Sequence, residues 1–274
     1  FECEDRQELI EAGPVIAHED RLWLRAVKLY ADGALGSRGA ALLAPYSDDP
    51  ENSGVLTDPD LLEKLVEEAV QRGFQPATHA IGDRANHVML DIYQRVLQAH
   101  PDEDLRPRLE HAQIMTPQDI RRMGKLGVIA SMQPTHCTTD MRWAEKRLGP
   151  ERLDGAYAWR QVLQAGGVLA SGSDFPVESH DPFLGIQAAV TRADLDGWPE
   201  GGWRPEEKLT VQEALMSFTA WPARASFNED LLGTIAPGKL ADMVVLDRDI
   251  FTIDPAKIHT VRPDLTVAGG EVAY

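Results

Sequence analysis

Val168-Leu-Ala-Ser-Gly-Ser-Asp-Phe-Pro-Val-Glu178 joins a short apolar run to a polar turn. Val168 to Ala170 has the texture of a strand buried on both faces, as in a parallel sheet. Ser171, Gly172 and Ser173 interrupt it and leave Asp174 just past its carboxyl end. In an α/β barrel that rim carries the chemistry, because side chains fill the interior. Alone, Asp174 reads as a turn residue or a helix N-cap ahead of Pro176. The same design, a strand and then a polar group, recurs at Lys28, His79 and His111, and the repetition turns the reading towards a site.

Outward from that stretch, strands and helices alternate. Strands are expected at Ala26–Ala31, Phe74–Ala80, Arg108–Ala112 and Val128–Met132, besides the one before Asp174. Helices are expected from Pro59 to Gly73, over Asn86–Ala99, from Thr116 as cap to about Leu126, within Gly155–Ala165, over Pro182–Arg192, and from Thr210 to about Phe218. Glu8–Ala12 reads as a helix end. Asp32 to Asp58 is rich in Gly, Ser, Pro and Asp without a period, which marks a long loop, and such loops are usually functional. After Phe227 the chain is turn-rich, with short strands at Met243–Leu246, Thr260–Val261 and Leu265–Tyr274. The expected organisation is a barrel portion over 1–227 and a small β portion over 228–274. About five strand–helix units are present where a closed barrel needs eight.

A net charge of −17 over 274 residues, with no basic patch to offset it, argues against nucleic acid and anionic membranes as partners. A small-molecule substrate is compatible with it. Cys3 and Cys137 are the only cysteines and lack zinc-motif spacing, so a reducing compartment, the cytoplasm, is expected. No apolar run has transmembrane length.

The polar groups follow the βα repeat. His79 and His111 lie 32 residues apart, about one unit; His111 and Asp174 lie 63 apart, about two; Lys28 and His79 lie 51 apart, one unit plus the long loop. On neighbouring barrel strands they converge on one mouth. Two imidazoles and a carboxylate suit a divalent metal such as zinc. A buried Lys28 would have a lowered pKa and a nucleophilic neutral amine; its plainer reading is a salt bridge with Asp32. His136, after another strand end, reads as a hydrogen-bond donor to a substrate carbonyl or as a solvated loop residue. Asp83 and Arg84 read as a helix cap and a surface charge, and the tryptophans as packing.

Val27-Lys-Leu-Tyr-Ala-Asp-Gly-Ala-Leu-Gly-Ser-Arg38, Thr78-His-Ala-Ile-Gly-Asp83, Leu109-Glu-His-Ala112, Ser131-Met-Gln-Pro-Thr-His136, Gly172-Ser-Asp-Phe-Pro-Val177 and Gly233 to Asp242 together resemble the amidohydrolase superfamily. The resemblance is strongest to its YtcJ-like branch, which includes N-substituted formamide deformylases, and it covers the chain from about Leu24. It implies a distorted (β/α)8 TIM barrel of the metal-dependent hydrolase type, here about its last five units, with part of a β-sandwich made from both chain ends. It further implies a carboxylated Lys28 bridging one or two zinc ions, His79 and His111 as ligands of the more buried ion, and Asp174 as ligand and proton acceptor. The family's His-x-His pair does not occur in 1–274. The expectation is therefore a chain that begins about halfway through an enzyme, its missing N-terminal half or another copy in a homo-oligomer covering the open strand edges.

The activity this implies is hydrolysis of an amide- or formamide-type C–N bond by metal-activated water, with Asp174 as general base and then acid. Two other classes stay open: a non-catalytic barrel portion that binds a ligand or partner, and a metal-free lyase using Lys28 as Schiff-base nucleophile.

Overall fold

The computed structural model describes residues 11–17 and 22–274. β1 (Val15–Ala17) and β2 (Leu22–Leu24) form a small antiparallel pair. β3 (Ala26–Tyr30) leads into the long loop, and α1 (Pro59–Gln71) follows. Asp58 caps α1 by accepting the Asp60 N–H, Pro59 opens it, and Leu62, Val66, Ala69 and Val70 recur on its buried face. β4 (Gln75–Ala80), α2 (Asp83–Ala99), β5 (Arg108–His111), α3 (Pro117–Leu126) and β6 (Ile129–Met132) continue the alternation. Thr116 caps α3, and Gly127, at φ 69°, closes it in the left-handed region. Between β6 and β7 (Val168–Ser171) run α4 (Pro134–Asp140), α5 (Ala144–Leu148) and α6 (Trp159–Gln164).

Strands β3 to β7 form one parallel sheet of five in sequence order. α1, α2, α3 and α6 pack side by side as a layer, and Leu29, Leu90, Tyr93, Leu109, Met123 and Trp159 fill the core. α7 (Pro182–Thr191), α8 (Val211–Phe218) and α9 (Ala220–Ala225) follow, with α8 and α9 against β7. The sheet is open: among the described residues β3 and β7 each have a strand neighbour on one side only. Ala26, Lys28 and Tyr30 on β3 are accordingly exposed while Leu29 is buried.

The C-terminal part is a three-stranded antiparallel sheet of β8 (Met243–Leu246), β9 (Pro263–Ala268) and β10 (Glu271–Val272), in the order β10-β9-β8. The strand expected at Thr260–Val261 is not there. Pro255–Thr260 is a 3-10 helix, opened by Asp254 accepting the Ala256 N–H and anchored by fully buried Ile258. α2 also begins earlier than its apolar pattern suggests, at Asp83. Of the helix end read over Glu8–Ala12, residues 8–10 lie outside the described residues. No helix among the described residues is long and apolar enough to cross a membrane.

The loop between β3 and α1 lacks helix and strand, yet two carboxylates fasten it. Asp32 accepts the N–H groups of Ala41, Ile81 and Gly82 at 2.8–2.9 Å, tying the loop to the end of β4. Asp83 does not cap its helix as expected; it accepts the Leu43 N–H at 2.8 Å. Gly82 lies so close to the loop that a Cβ there would stand 2.0 Å from the Ala41 carbonyl oxygen. Gly82→Ala is therefore expected to cost about 1–3 kcal/mol of stability by forcing backbone apart. Chemical denaturation checks this, and an unchanged midpoint would mean that the loop yields freely.

Candidate active site

Parallel register places Tyr30, His79, Glu110 and Ser131 in one row across β3 to β6, with Lys28 one pleat earlier on the same face. His111 is paired with Ala80, on the opposite pleat. Strict alternation would send its ring to the helix layer, away from His79. Instead His111 has φ 77° and Ala112 φ 41°, a break that ends β5 and turns the ring. The His79 and His111 rings meet edge to face with centroids 4.5 Å apart, and His136 stacks on His111 at 5.8 Å. Asp174 also has a positive φ, 55°, in the turn after β7. Left-handed backbone at non-glycine residues is enriched at functional sites, and His and Asp tolerate it better than most.

Burial governs the electrostatics. His111 is pushed down to about 3, first by desolvation and then by the neighbouring His79. His79 and His136 are also lowered, in both cases chiefly by burial. All three rings are therefore neutral at pH 7, each with one lone-pair nitrogen. The approach of His79 Nε2 to Asp32 Oδ1, at 3.5 Å, is not an ion pair: His79 is held below its usual range and burial raises Asp32 to about 6.

That raised carboxyl has a stability consequence. The folded state holds the Asp32 proton more tightly than the unfolded chain, whose value is 3.8, so the benefit is complete below 3.8 and is lost as pH rises through 6. The stability difference between wild type and Asp32→Asn should fall by on the order of 3 kcal/mol from pH 4 to pH 7. A pH-independent difference, measured by urea unfolding, would contradict it.

The expected residues separate into those in contact and those nearby. His111 lies between His79 and His136, its ring facing both. Asp174 is exposed and acts through space on His79 and His136, and Lys28 acts on His79 and His111. Lys28 is exposed rather than buried, and its Nζ lies over the Tyr30 ring at 5.1 Å; no Lys28–Asp32 salt bridge forms. His136 is not a loop residue. It sits in α4, and its buried Nε2 has no hydrogen-bond partner among the described residues.

Residues passed over in the sequence complete the surroundings. Gln133, just after β6, lies with Oε1 2.8 Å from His111 Nδ1. Glu110, between His79 and Ser131 in the row, is engaged by Arg108 at 2.8 Å, and Arg108 also donates to Gln75 Oε1 at 3.0 Å. Glu178 accepts from Thr139 Oγ1 at 3.0 Å, linking the Asp174 turn to α4. A carboxylate placed by a backbone turn leaves no periodic signal, so the sequence offers Asp32 as a partner for Lys28 or part of a pocket-lining loop and gives no sign of its three backbone bonds.

A divalent cation fits this donor set in part. The paired neutral imidazoles and the orphaned His136 nitrogen are donors of the right kind for zinc. Yet no three His, Cys, Asp or Glu side chains among the described residues are gathered closely enough to hold an ion.

Neutral imidazoles gathered at the carboxyl end of a parallel sheet are compatible with a metal-dependent hydrolase. The amidohydrolase family model matches residues 2–274, and the chain belongs to that family. It is 37% identical over its whole length to the YtcJ protein of Bacillus subtilis (strain 168) and spans 50% of that protein. It is 30% identical, over 77% of its length, to the N-substituted formamide deformylase of Arthrobacter pascens, of which it spans 38%. Among solved structures it resembles an uncharacterized metal-dependent hydrolase from Pyrococcus horikoshii OT3, at TM-score 0.80 and 33% identity, over 92% of this chain and 50% of that one. The chain thus spans about half the length of these relatives or less.

Proposed function

We propose that the chain forms part of a metal-dependent amidohydrolase that cleaves an amide- or formamide-type C–N bond of a small molecule. The observation that carries this is the facing pair of neutral imidazoles, His79 and His111, on neighbouring strands. Family membership and the deformylase relative support the bond type. A zinc ion, or two, bound here would lower the pKa of water from 15.7 to about 7 and polarise a carbonyl.

In this reading His79 and His111 would hold the cation, with Lys28 as a carbamate and Asp174 as further oxygen donors. Asp174 accepts a proton from water and returns it to the leaving amine. His136 turns its unpartnered nitrogen to the substrate carbonyl oxygen. The relatives' greater length supports a whole enzyme in which further strands close the barrel over 1–227 and complete a β-sandwich with 228–274. A cytoplasmic location and a homo-oligomer belong to the same proposal.

Metal analysis of the purified protein tests it. One or two equivalents of a transition metal, lost in a His79→Asn/His111→Asn double variant, are expected. A protein that takes up no metal would favour the second reading, a non-catalytic binder, which the lack of a three-donor cluster among the described residues also suggests.

A further inference from the structure

His111 has two ring nitrogens, and the surrounding hydrogen bonds determine which one is free. Nδ1 lies 2.8 Å from Gln133 Oε1. Gln133 Nε2 lies 3.3 Å from the Ser131 carbonyl oxygen. A carbonyl only accepts, so the amide must turn Nε2 to Ser131 and Oε1 to His111; the reverse sets two acceptors against each other. Facing an acceptor, Nδ1 must carry the hydrogen, and Nε2 keeps its lone pair.

We propose that Gln133 is a positioning residue that locks His111 in the Nδ1–H tautomer and so makes Nε2 the donor atom offered to a cation. A solvated imidazole prefers the other tautomer, so the preference has to be imposed. The local sequence explains how. β6 ends at Met132, and Pro134 opens α4, which keeps Gln133 out of helical backbone, at φ −118° and ψ 103°. Gln133 is 9% exposed and His111 6%, so water competes little for either group. Second-sphere hydrogen bonds of this kind fix both the tautomer and the ring orientation of histidine ligands.

The purpose of the lock rests on the hydrolase reading, but the tautomer is measured without metal, so the two fail separately. Long-range 1H–15N spectra of the metal-free protein at neutral pH, with the His111 signals identified by their loss in His111→Asn, should show a pyrrole-type Nδ1 and a pyridine-type Nε2. Gln133→Leu should shift His111 towards Nε2–H and weaken zinc binding about 10–100-fold. Gln133→Glu, which still accepts from Nδ1–H, should keep the wild-type tautomer. A wild-type His111 protonated on Nε2, or a Gln133→Leu spectrum unchanged at His111, overturns the inference. Should Gln133→Leu fail to fold, the wild-type and Gln133→Glu spectra still decide it.

Discussion

Under the proposed hydrolase reading, replacing Asp174 with Asn in the whole protein is expected to cut turnover of an amide-type test substrate about 10²–10⁴-fold, the contribution of a positioned general base. The fold should not register the change. Asp174 is exposed, and its side chain makes no hydrogen bond among the described residues. Its backbone sits at φ 55°, a region asparagine occupies as readily as aspartate. Stability should therefore stay within about 0.5 kcal/mol of wild type. The variant removes both the capacity to take up a proton and the negative charge offered to the cation, so the metal content of the variant is measured beside its kcat. Wild-type kcat in this variant would remove Asp174 from the chemistry.

Trp159→Ala should destabilise the fold by about 3–5 kcal/mol. The indole is 1% exposed on α6, and the Arg192 guanidinium lies 4.3 Å over its ring. Arg192 itself is wholly buried. It donates to the carbonyls of Trp203 at 2.7 Å and Tyr157 at 2.8 Å, while Nη2 has no partner among the described residues. Removing the ring opens a large cavity and withdraws the π face from a desolvated cation, two costs that act together. Trp159→Phe, which keeps a face for the guanidinium, should recover part of the loss. Urea unfolding of the three proteins decides it; a loss below about 1 kcal/mol for Trp159→Ala would mean the site collapses without penalty.

Much of this architecture is legible in the sequence. The alternation of short strands and amphipathic helices marks all five parallel strands, and Thr116 and Thr210 mark the starts of α3 and α8 where the structure has them. The βα spacing brings His79 and His111 to the same end of the sheet. It does not say that they touch, and the pleat argues that they should not. Their contact depends on a backbone break at His111 and Ala112 that no residue pattern announces. Lys28 shows the converse error: a lysine within an apolar run suggests burial, but its face of β3 is open. Asp32 and Asp83 work on backbone N–H groups tens of residues away, and such bonds depend on tertiary folding rather than on local sequence.

The left-handed backbone at His111 and Asp174 also bears on how sequences of this kind can drift. A β-branched residue at either place would strain the main chain whatever it did to catalysis. Glycine, asparagine, aspartate and histidine are the cheap occupants. A descendant that had lost its reaction would thus still be steered towards the same short menu. Finding His or Asp at these points in another chain is evidence for the shape of the turn first, and for retained chemistry only when the groups around it are present as well.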